Sequence, residues 1–190
     1  MWIGIAIVAA VIGFLLGPIV TQGLSPGTLL GLLVGFLVAV FGFCVWALSN
    51  NKSAARASPA QQADAQAMRA PDGKARIYIT RRGFVGALQG MNVDLDGIAT
   101  AQIKSGQMLV ADVMPGSHHI SVSAAKASLA KPANISLEVG PGQVVVVDAM
   151  IEMGALKGTI KLDQLGPDRA RENVTATKLM LWEQPPVAVS

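Results

Sequence analysis

The chain contains two histidines, His118 and His119, which are neighbours in the sequence and raise the question of a metal site. They follow a Pro-Gly turn at 115–116 and open a segment with the alternating pattern of a β-strand. Consecutive strand residues point to opposite faces, so the two imidazoles are poorly placed to ligate one ion together. Further ligands would have to come from the aspartates at 94, 96 or 112, whose spacing demands no such role. The pattern predicts strand-edge histidines with ordinary hydrogen bonds, and no metal or other cofactor.

Nucleophiles and phosphate-binding loops are the next chemistry to consider. Serines lie close to the histidines, but none is part of a nucleophile elbow; they are Ser117, Ser121 and Ser123. Paired glycines occur at 83 and 86 and again at 140 and 142. Neither pair is followed by Gly-Lys-Ser/Thr or opens a helix, as a phosphate loop requires. These patterns predict no catalytic residue, and we expect the chain not to be an enzyme.

Nucleic-acid binding is suggested only weakly by the adjacent Arg81 and Arg82 beside Phe84 and by a pI of about 9.2. The net charge is +3, and aromatic residues make up 5% of the chain. A nucleic-acid surface needs a basic stripe or stacking aromatic rings, which these values do not favour. We therefore interpret the two arginines as an exposed basic loop and expect no nucleic-acid partner.

The elements that carry these residues belong to two different kinds of sequence. Hydrophobic residues make up 52% of the 190 residues, and the mean hydropathy is +0.48. No Asp, Glu, Lys or Arg precedes Lys52, so every charged side chain lies after the first 51 residues. This division excludes a single soluble globule. The one cysteine, Cys44, cannot form an intramolecular disulfide.

Two apolar segments precede Lys52, from Trp2 to Val20 and from Thr28 to Leu48. Each has close to the ~20 residues that a helix needs to cross a bilayer. The short Gly- and Pro-containing connection between them predicts a transmembrane helical hairpin over residues 1–48. Trp2 and Trp46 would then lie at the same membrane interface. A cleaved signal peptide is the competing interpretation of the first segment, but the basic n-region and the small-residue cleavage motif are missing.

Small residues recur at every fourth position of both apolar segments, and the predicted helix-packing residues are Gly13, Gly17, Gly31 and Gly35. This spacing aligns a groove that lets helix backbones approach closely in lipid. The alternative is that glycine is simply common in membrane helices. Neither segment contains a titratable side chain of the kind that ion pathways need, which argues against a transporter or channel. We expect membrane lipids and other membrane-protein subunits as partners.

The positive charges after the second segment predict the orientation. Lys52 and Arg56 follow it closely, whereas the connection between the segments is uncharged. The positive-inside rule then places both termini in the cytoplasm. We expect a multi-pass protein of a bacterial inner membrane with a cytoplasmic β domain.

The rest of the chain divides into three parts. Residues 49–73 are rich in Ala, Gln and Pro and predict a flexible linker. Residues 74–166 contain seven or eight short runs with β alternation, separated by turn sequences, which predict an all-β antiparallel sandwich. Residues 167–190 predict a short helix and a C-terminal tail.

Residues 74–165 resemble the PEGA-like bacterial β-sandwich domains of unknown function, which are often membrane-anchored or lipoproteins. The resemblance lies in four segments: Ala75-Arg-Ile-Tyr-Ile-Thr-Arg-Arg82, Val93-Asp-Leu-Asp-Gly97, Val113-Met-Pro-Gly-Ser-His-His-Ile-Ser-Val122 and Val139-Gly-Pro-Gly-Gln-Val144. It implies a sandwich with an adhesive or structural role and transfers no catalytic residue. Lipoprotein members would face the periplasm, which conflicts with the charge pattern.

Together these features favour a non-enzymatic, membrane-anchored interaction or scaffolding protein. We expect an accessory subunit of a larger bacterial membrane complex, whether respiratory, photosynthetic or secretory. The alternative is a membrane-tethered β domain that binds a small ligand or is an enzyme.

Overall fold

The computed structural model describes residues 25–52, 54–152, 154 and 157–185. In this part of the chain the helices are α1 (Pro26–Leu48), α2 (Pro59–Gln66) and α3 (Pro167–Ala176). The strands are β1 (Ala75–Arg81), β2 (Met91–Leu95), β3 (Ala99–Ile103), β4 (Gln107–Val113), β5 (Gly116–Ala124), β6 (Ala130–Lys131), β7 (Ala133–Val139), β8 (Val144–Glu152), β9 (Gly158–Gln164) and β10 (Lys178–Leu179). The chain divides after Ser49 into two units, and the second, residues 50–190, is called the β domain below.

Helix α1 is apolar on every side. It has 23 residues, a length of ~35 Å at ~1.5 Å per residue, which is enough to cross the hydrocarbon layer of a bilayer. None of its described side chains is buried. Among the residues that the structure describes, it is the one helix long and apolar enough to span a membrane. A signal sequence near an N-terminus has the same properties.

The prediction of a two-helix transmembrane hairpin is wrong for the described residues, in which α1 is the one helix long and apolar enough to span a membrane. Its start lies within the connection that was expected to be a turn, because Ser25 accepts a hydrogen bond from the Thr28 backbone at 3.3 Å and Pro26 occupies the first helical position. A serine cap followed by proline is a helix start rather than a reversal. The described residues therefore contain one apolar helix. The first predicted segment, with Trp2, Gly13 and Gly17, lies outside them.

The β domain has two sheets, and the prediction of an all-antiparallel sandwich with seven or eight strands is wrong. One sheet has six strands in the order β10-β4-β1-β8-β9-β6, and the other has four in the order β3-β2-β5-β7. The four-stranded sheet is antiparallel, but β1 pairs with β8 in parallel, as do β6 with β9 and β10 with β4. Alternation within a strand predicts which face is buried and leaves the direction of its neighbour undetermined.

The six-stranded sheet is covered on both faces. Its inner face packs against the four-stranded sheet through residues such as Ile77 and Leu109. Its outer face carries Tyr78 and Val146 and packs beneath α2 and α3. Every residue of β1 is buried as a result, which is typical of a strand between two layers.

Helix α2 lies within residues 49–73, the segment that was expected to be a flexible linker. Ser58 and Gln61 form a reciprocal capping box at its start, and Ala65 is buried against the sheet. The phenol of Tyr78 donates to the Ala65 carbonyl at 2.6 Å. This part of the predicted linker is therefore a packed element of the β domain.

The chain after α3, expected to be a tail, extends the sheet. The Met180 backbone donates to the Met108 carbonyl at 2.9 Å, and the Trp182 indole donates to the Val110 carbonyl at 2.7 Å. The side chain of Gln62 in α2 accepts from the Leu179 backbone at 2.6 Å. These bonds join the C-terminal strand to both β4 and α2. The predicted short helix is present as α3.

Candidate functional site

A groove lies between α2, β4 and the C-terminal strand and forms a concave surface on the β domain. Its volume is about 440 Å³, within the range of ~300–1,000 Å³ that small-molecule sites occupy. Its floor is polar at Arg76, Asp64 and Asp112, and its walls include Val110, Leu181 and Trp182. It is therefore called the Arg76 groove.

Arg76 joins three parts of the β domain at this groove. Its Nε and Nη2 atoms donate to the two carboxylate oxygens of Asp112 on β4 at 2.6 and 3.0 Å. Its Nη1 atom donates to the Asp64 carboxylate on α2 at 2.9 Å. A guanidinium that forms a bidentate pair and also reaches a second carboxylate is held in one orientation.

The electrostatics of the groove follow from this arrangement. The hydrogen bond to Asp112 raises the pKa of Arg76 beyond its ordinary value, despite an opposing effect of burial. Burial raises the pKa of Tyr78, which keeps the phenol protonated as a donor to α2. Two carboxylates surround one guanidinium, so the local charge is negative. Chemically, the groove suits a cationic or hydrogen-bond-donating group.

His118 lies at the end of β5 and has a defined environment. Its Nδ1 is 2.7 Å from Oδ2 of Asp96, and its Nε2 is 2.8 Å from the Met114 carbonyl. Both neighbours are acceptors, and only the imidazolium can donate from both nitrogens. Partial burial lowers the pKa of His118, but these hydrogen bonds outweigh it and raise the pKa above its ordinary value. The geometry is that of a charged link between β5 and the β2–β3 turn.

The other candidate ligands of the metal hypothesis are dispersed. His119 lies on the outer face of β5, where its Nδ1 is 3.2 Å from the Ser136 hydroxyl. Asp94 accepts from the Gly97 backbone at 2.8 Å, and Asp112 belongs to the Arg76 groove. In the described residues, no group of three or more His, Cys, Asp and Glu side chains is placed to hold a metal ion.

The predicted exposed basic loop at Arg81 and Arg82 is half wrong. Arg82 is exposed, pairing with Glu172 at 2.8 Å, but Arg81 is 1% exposed. Its guanidinium donates to the Gly86 carbonyl at 2.6 Å, to the Ile103 carbonyl at 3.3 Å and to the Gln89 carbonyl. Burial lowers the pKa of Arg81 to about 10. The alternating pattern of β1 placed this arginine on the inner face, and its length lets it reach the loop carbonyls beyond the strand.

A buried polar cluster beneath α3 was missed by sequence reasoning. The Thr80 hydroxyl donates to the buried Asp148 carboxylate at 2.9 Å, and the Asn173 amide donates to the Thr80 oxygen at 3.3 Å. Burial raises the pKa of Asp148, although its hydrogen bonds oppose this shift. The one signal in the sequence is an aspartate directly after the apolar run Val144–Val147.

In α1, the predicted packing residues Gly31 and Gly35 present open space. Among the described residues, none has an atom within 4 Å of a Cβ placed on either glycine, apart from the helix's own backbone. Trp46 lies in the last turn, with its ring centroid 5.7 Å from that of Phe43. The positions agree with a seam and an interfacial ring, which remain predictions.

No protein-family model matches the chain, and neither does any curated protein sequence. The resemblance to PEGA-like domains therefore stays a prediction from the four segments that carry it. The function has to be argued from the apolar helix and the β domain themselves.

Proposed function

We propose that this chain is a non-enzymatic, membrane-anchored interaction protein, in which α1 lies in a bilayer and the β domain binds a protein partner. The observation that carries the proposal is α1, an apolar helix of 23 residues without a buried side chain. Such a surface is stable in lipid or against another apolar helix, whereas its exposure to water raises the free energy. We assign the chain to a bacterial inner membrane, as an accessory subunit of a larger complex.

The bonding of the chemically versatile side chains supports an interaction role. Arg76 ties α2 to β4, His118 ties β5 to a turn, and Arg81 ties β1 to the following loop. Each side chain is held by groups of the domain itself and stabilises its shape. A PEGA-like relationship, with its adhesive or structural role, agrees with this proposal.

A cytoplasmic β domain is the orientation that we propose. Lys52 and Arg56 follow α1 directly, and no charged residue precedes it. Positive charge beside a membrane segment favours retention on the cytoplasmic side.

Copurification tests the proposal. The full chain, extracted in a mild detergent, should elute with one or more membrane proteins in a defined stoichiometry. The matched control replaces α1 with an unrelated apolar helix of equal length, which keeps the anchor and removes its particular surface. Retention of the partner in the control would assign the contact to the β domain, and loss of the partner would show that α1 contributes to it. Elution of the native chain as a monomer under the same conditions would contradict the proposal.

The Arg76 groove favours a second candidate function, the binding of a small cationic ligand. The groove has the volume of a ligand site, and two carboxylates surround its one guanidinium. Calorimetric titration with spermidine and with arginine tests this function directly. Binding should weaken in Asp64→Asn, which removes a carboxylate that is 69% exposed. No heat of binding with either probe would reject it.

A further inference from the structure

We propose that the loop 83–90 between β1 and β2 is a second membrane-contacting element, which rests the β domain on the lipid surface through Phe84 and Leu88. This inference deepens the proposed function and rests on its membrane anchor. It names the anionic lipid bilayer as the partner of one particular end of the domain.

The loop exposes large apolar side chains. Phe84 is 89% exposed and Leu88 is 72% exposed, the two largest values among the exposed large hydrophobic residues of the described β domain. These two side chains, four residues apart on one loop, leave large apolar surface exposed to water. Exposed apolar patches on a loop mark binding surfaces.

The backbone of this loop is nevertheless held firmly. The buried guanidinium of Arg81 binds the Gly86 and Gln89 carbonyls from below. From the side, the amide of Asn51 donates to the Leu88 carbonyl at 2.5 Å and accepts from the Gly90 backbone at 2.8 Å. The backbone of the loop is therefore fixed, in part by the buried Arg81 guanidinium, while the side chains of Phe84 and Leu88 remain exposed.

Strand register shows which end of the domain carries the loop. Arg81 pairs with Gln107, and Met91 pairs with both Ile103 and Ala124, so these strand ends lie together. We call this the tether end. The opposite end carries the β2–β3 turn, where Ile98 is about half exposed.

The membrane helix is connected at the tether end. Asn51, which binds the loop, follows the last residue of α1, Leu48, by three positions. Three residues span at most ~10 Å when fully extended. The covalent connection from α1 thus enters the β domain at the end that bears Phe84 and Leu88.

The tether end and the opposite end of the β domain also differ in charge. The tether end carries the basic residues Lys52, Arg82, Lys104 and Lys157. Its carboxylates are paired with basic side chains: Glu183 with Lys52, Glu172 with Arg82, and Glu152 with Lys161. The opposite end carries more acidic than basic residues: Asp72, Asp94, Glu138 and Asp96, which pairs with His118, against Lys74. Basic residues around an apolar patch match an anionic lipid surface, into which Phe and Leu side chains insert.

Fluorescence quenching by lipids tests the contact on the full chain. In a Cys44→Ser background, single cysteines replace Phe84, Ile98 or Phe36 and carry an environment-sensitive fluorophore. The proteins are reconstituted in phosphatidylcholine vesicles with phosphatidylglycerol and a lipid quencher attached to the acyl chain. Ile98 is the matched control because it is an exposed apolar turn residue at the opposite end. Phe36, in the middle of α1, reports on the anchor alone.

We expect quenching at position 84 to be severalfold stronger than at position 98, and to weaken when phosphatidylglycerol is omitted. Quenching at 36 with equal, low quenching at 84 and 98 would overturn the docking while leaving the anchor intact. An unquenched label at 36 would overturn the anchor and the docking together. A blue shift at 84 without lipid quenching would show that a second copy of the chain covers the loop, which also overturns the proposal.

A second set of variants removes the contact without placing a label in it. The fluorophore is moved to Ser105→Cys on the neighbouring β3–β4 turn, and Phe84 and Leu88 are both changed to serine. Quenching at 105 should fall severalfold, with unchanged circular dichroism, because both side chains are exposed in the folded protein. Charge reversal in Lys104→Glu with Lys157→Glu should lower it only in vesicles with phosphatidylglycerol. Unchanged quenching at 105 in both sets would overturn the role of the loop.

Discussion

The two buried arginines of β1 are stabilised in different ways. Arg76 faces the helices, where carboxylates surround it and its pKa rises above the ordinary value. Arg81 faces the other side of the strand, where its described partners are backbone carbonyls and its pKa falls to about 10. A cation that is matched by anions strengthens the packing of an element, whereas one bound by carbonyls orders a loop. Arg76 therefore fixes α2, and Arg81 fixes the loop 83–90.

The Arg76 network predicts unequal effects of its two carboxylates. Asp112 forms a bidentate pair and is 33% exposed at its side chain, whereas Asp64 is 69% exposed. We expect Asp112→Asn to lower the free energy of unfolding by about 2 kcal/mol, since it leaves a buried guanidinium poorly paired. Asp64→Asn should cost less than about 1 kcal/mol, as exposed pairs do. Urea unfolding of the detergent-solubilised chain in a Trp2→Phe, Trp46→Phe background, followed by Trp182 fluorescence, measures both. Equal effects would contradict the assignment of Asp112 as the main partner.

His118 predicts a pH dependence of stability. Its folded-state pKa lies above the ordinary value of 6.5, so the imidazolium contributes stability in full below pH 6.5. That contribution is lost as the pH rises through the folded-state pKa. His118→Gln should therefore lower the free energy of unfolding by about 1 kcal/mol at pH 5.5 and by less at pH 8.5. His119→Gln is the matched control. An equal loss for His118→Gln at both pH values would show that the neutral imidazole makes the same contacts.

At the scale of elements, the strands were largely predictable and their arrangement was not. Strands β2 and β4 lie within residues 74–166, where short β runs were predicted, and the sequence of β2, Met-Asn-Val-Asp-Leu, alternates between apolar and polar residues. The parallel pairing of β1 with β8 joins residues almost seventy positions apart, such as Arg76 and Val144. Local alternation contains no information about such a pairing.

Helix α2 and the Arg76 groove were not predicted, because both depend on contacts between separate elements of the fold. The sequence of α2, Pro-Ala-Gln-Gln-Ala-Asp-Ala-Gln, lacks large apolar side chains, so composition favoured a linker. The helix is stabilised instead by its capping box and by Tyr78, which is reached only through the tertiary fold. The groove brings together Asp64, Arg76 and Asp112 from three separate elements. No spacing along the chain indicates this cluster.

Helix α1 carries a prediction about its glycine seam. Changing Gly31 and Gly35 to leucine fills the side of the helix where a Cβ meets open space. We expect insertion to be retained, because hydrophobicity rises, and binding of the partner complex to weaken about tenfold through loss of close helix packing. Recovery of the complex after mild detergent extraction measures the change.

The control for the seam lies on the opposite side of α1. Leu33→Phe combined with Val40→Leu adds volume about 180° away from the glycines on a helix of ~3.6 residues per turn. This variant should retain the partner. If both variants bind equally well, the small residues do not form the partner-binding face.

For the whole molecule, the separation of charge has a consequence for orientation. Lys52 and Arg56 lie within eight positions of the end of α1, and no Lys or Arg precedes α1 in the sequence. The positive-inside rule counts Lys and Arg within ~15–20 residues of a span, and long domains cross a membrane largely regardless of their charge. The orientation therefore depends on Lys52 and Arg56, whose charge favours the cytoplasmic side for the β domain.

This orientation predicts the behaviour of C-terminal fusions to the full chain. A fluorescent protein after Ser190 should be bright, and alkaline phosphatase at the same position should be inactive, because the phosphatase folds only in an oxidising compartment. Protease added to spheroplasts should leave the β domain intact.

The control reverses the charge difference across α1 by changing Lys52 and Arg56 to glutamine and adding three lysines before Ser25. The phosphatase should then be active in at least part of the population. An active phosphatase on the native chain, with cleavage in spheroplasts, would place the β domain outside the cytoplasm and would restrict its partners to that side.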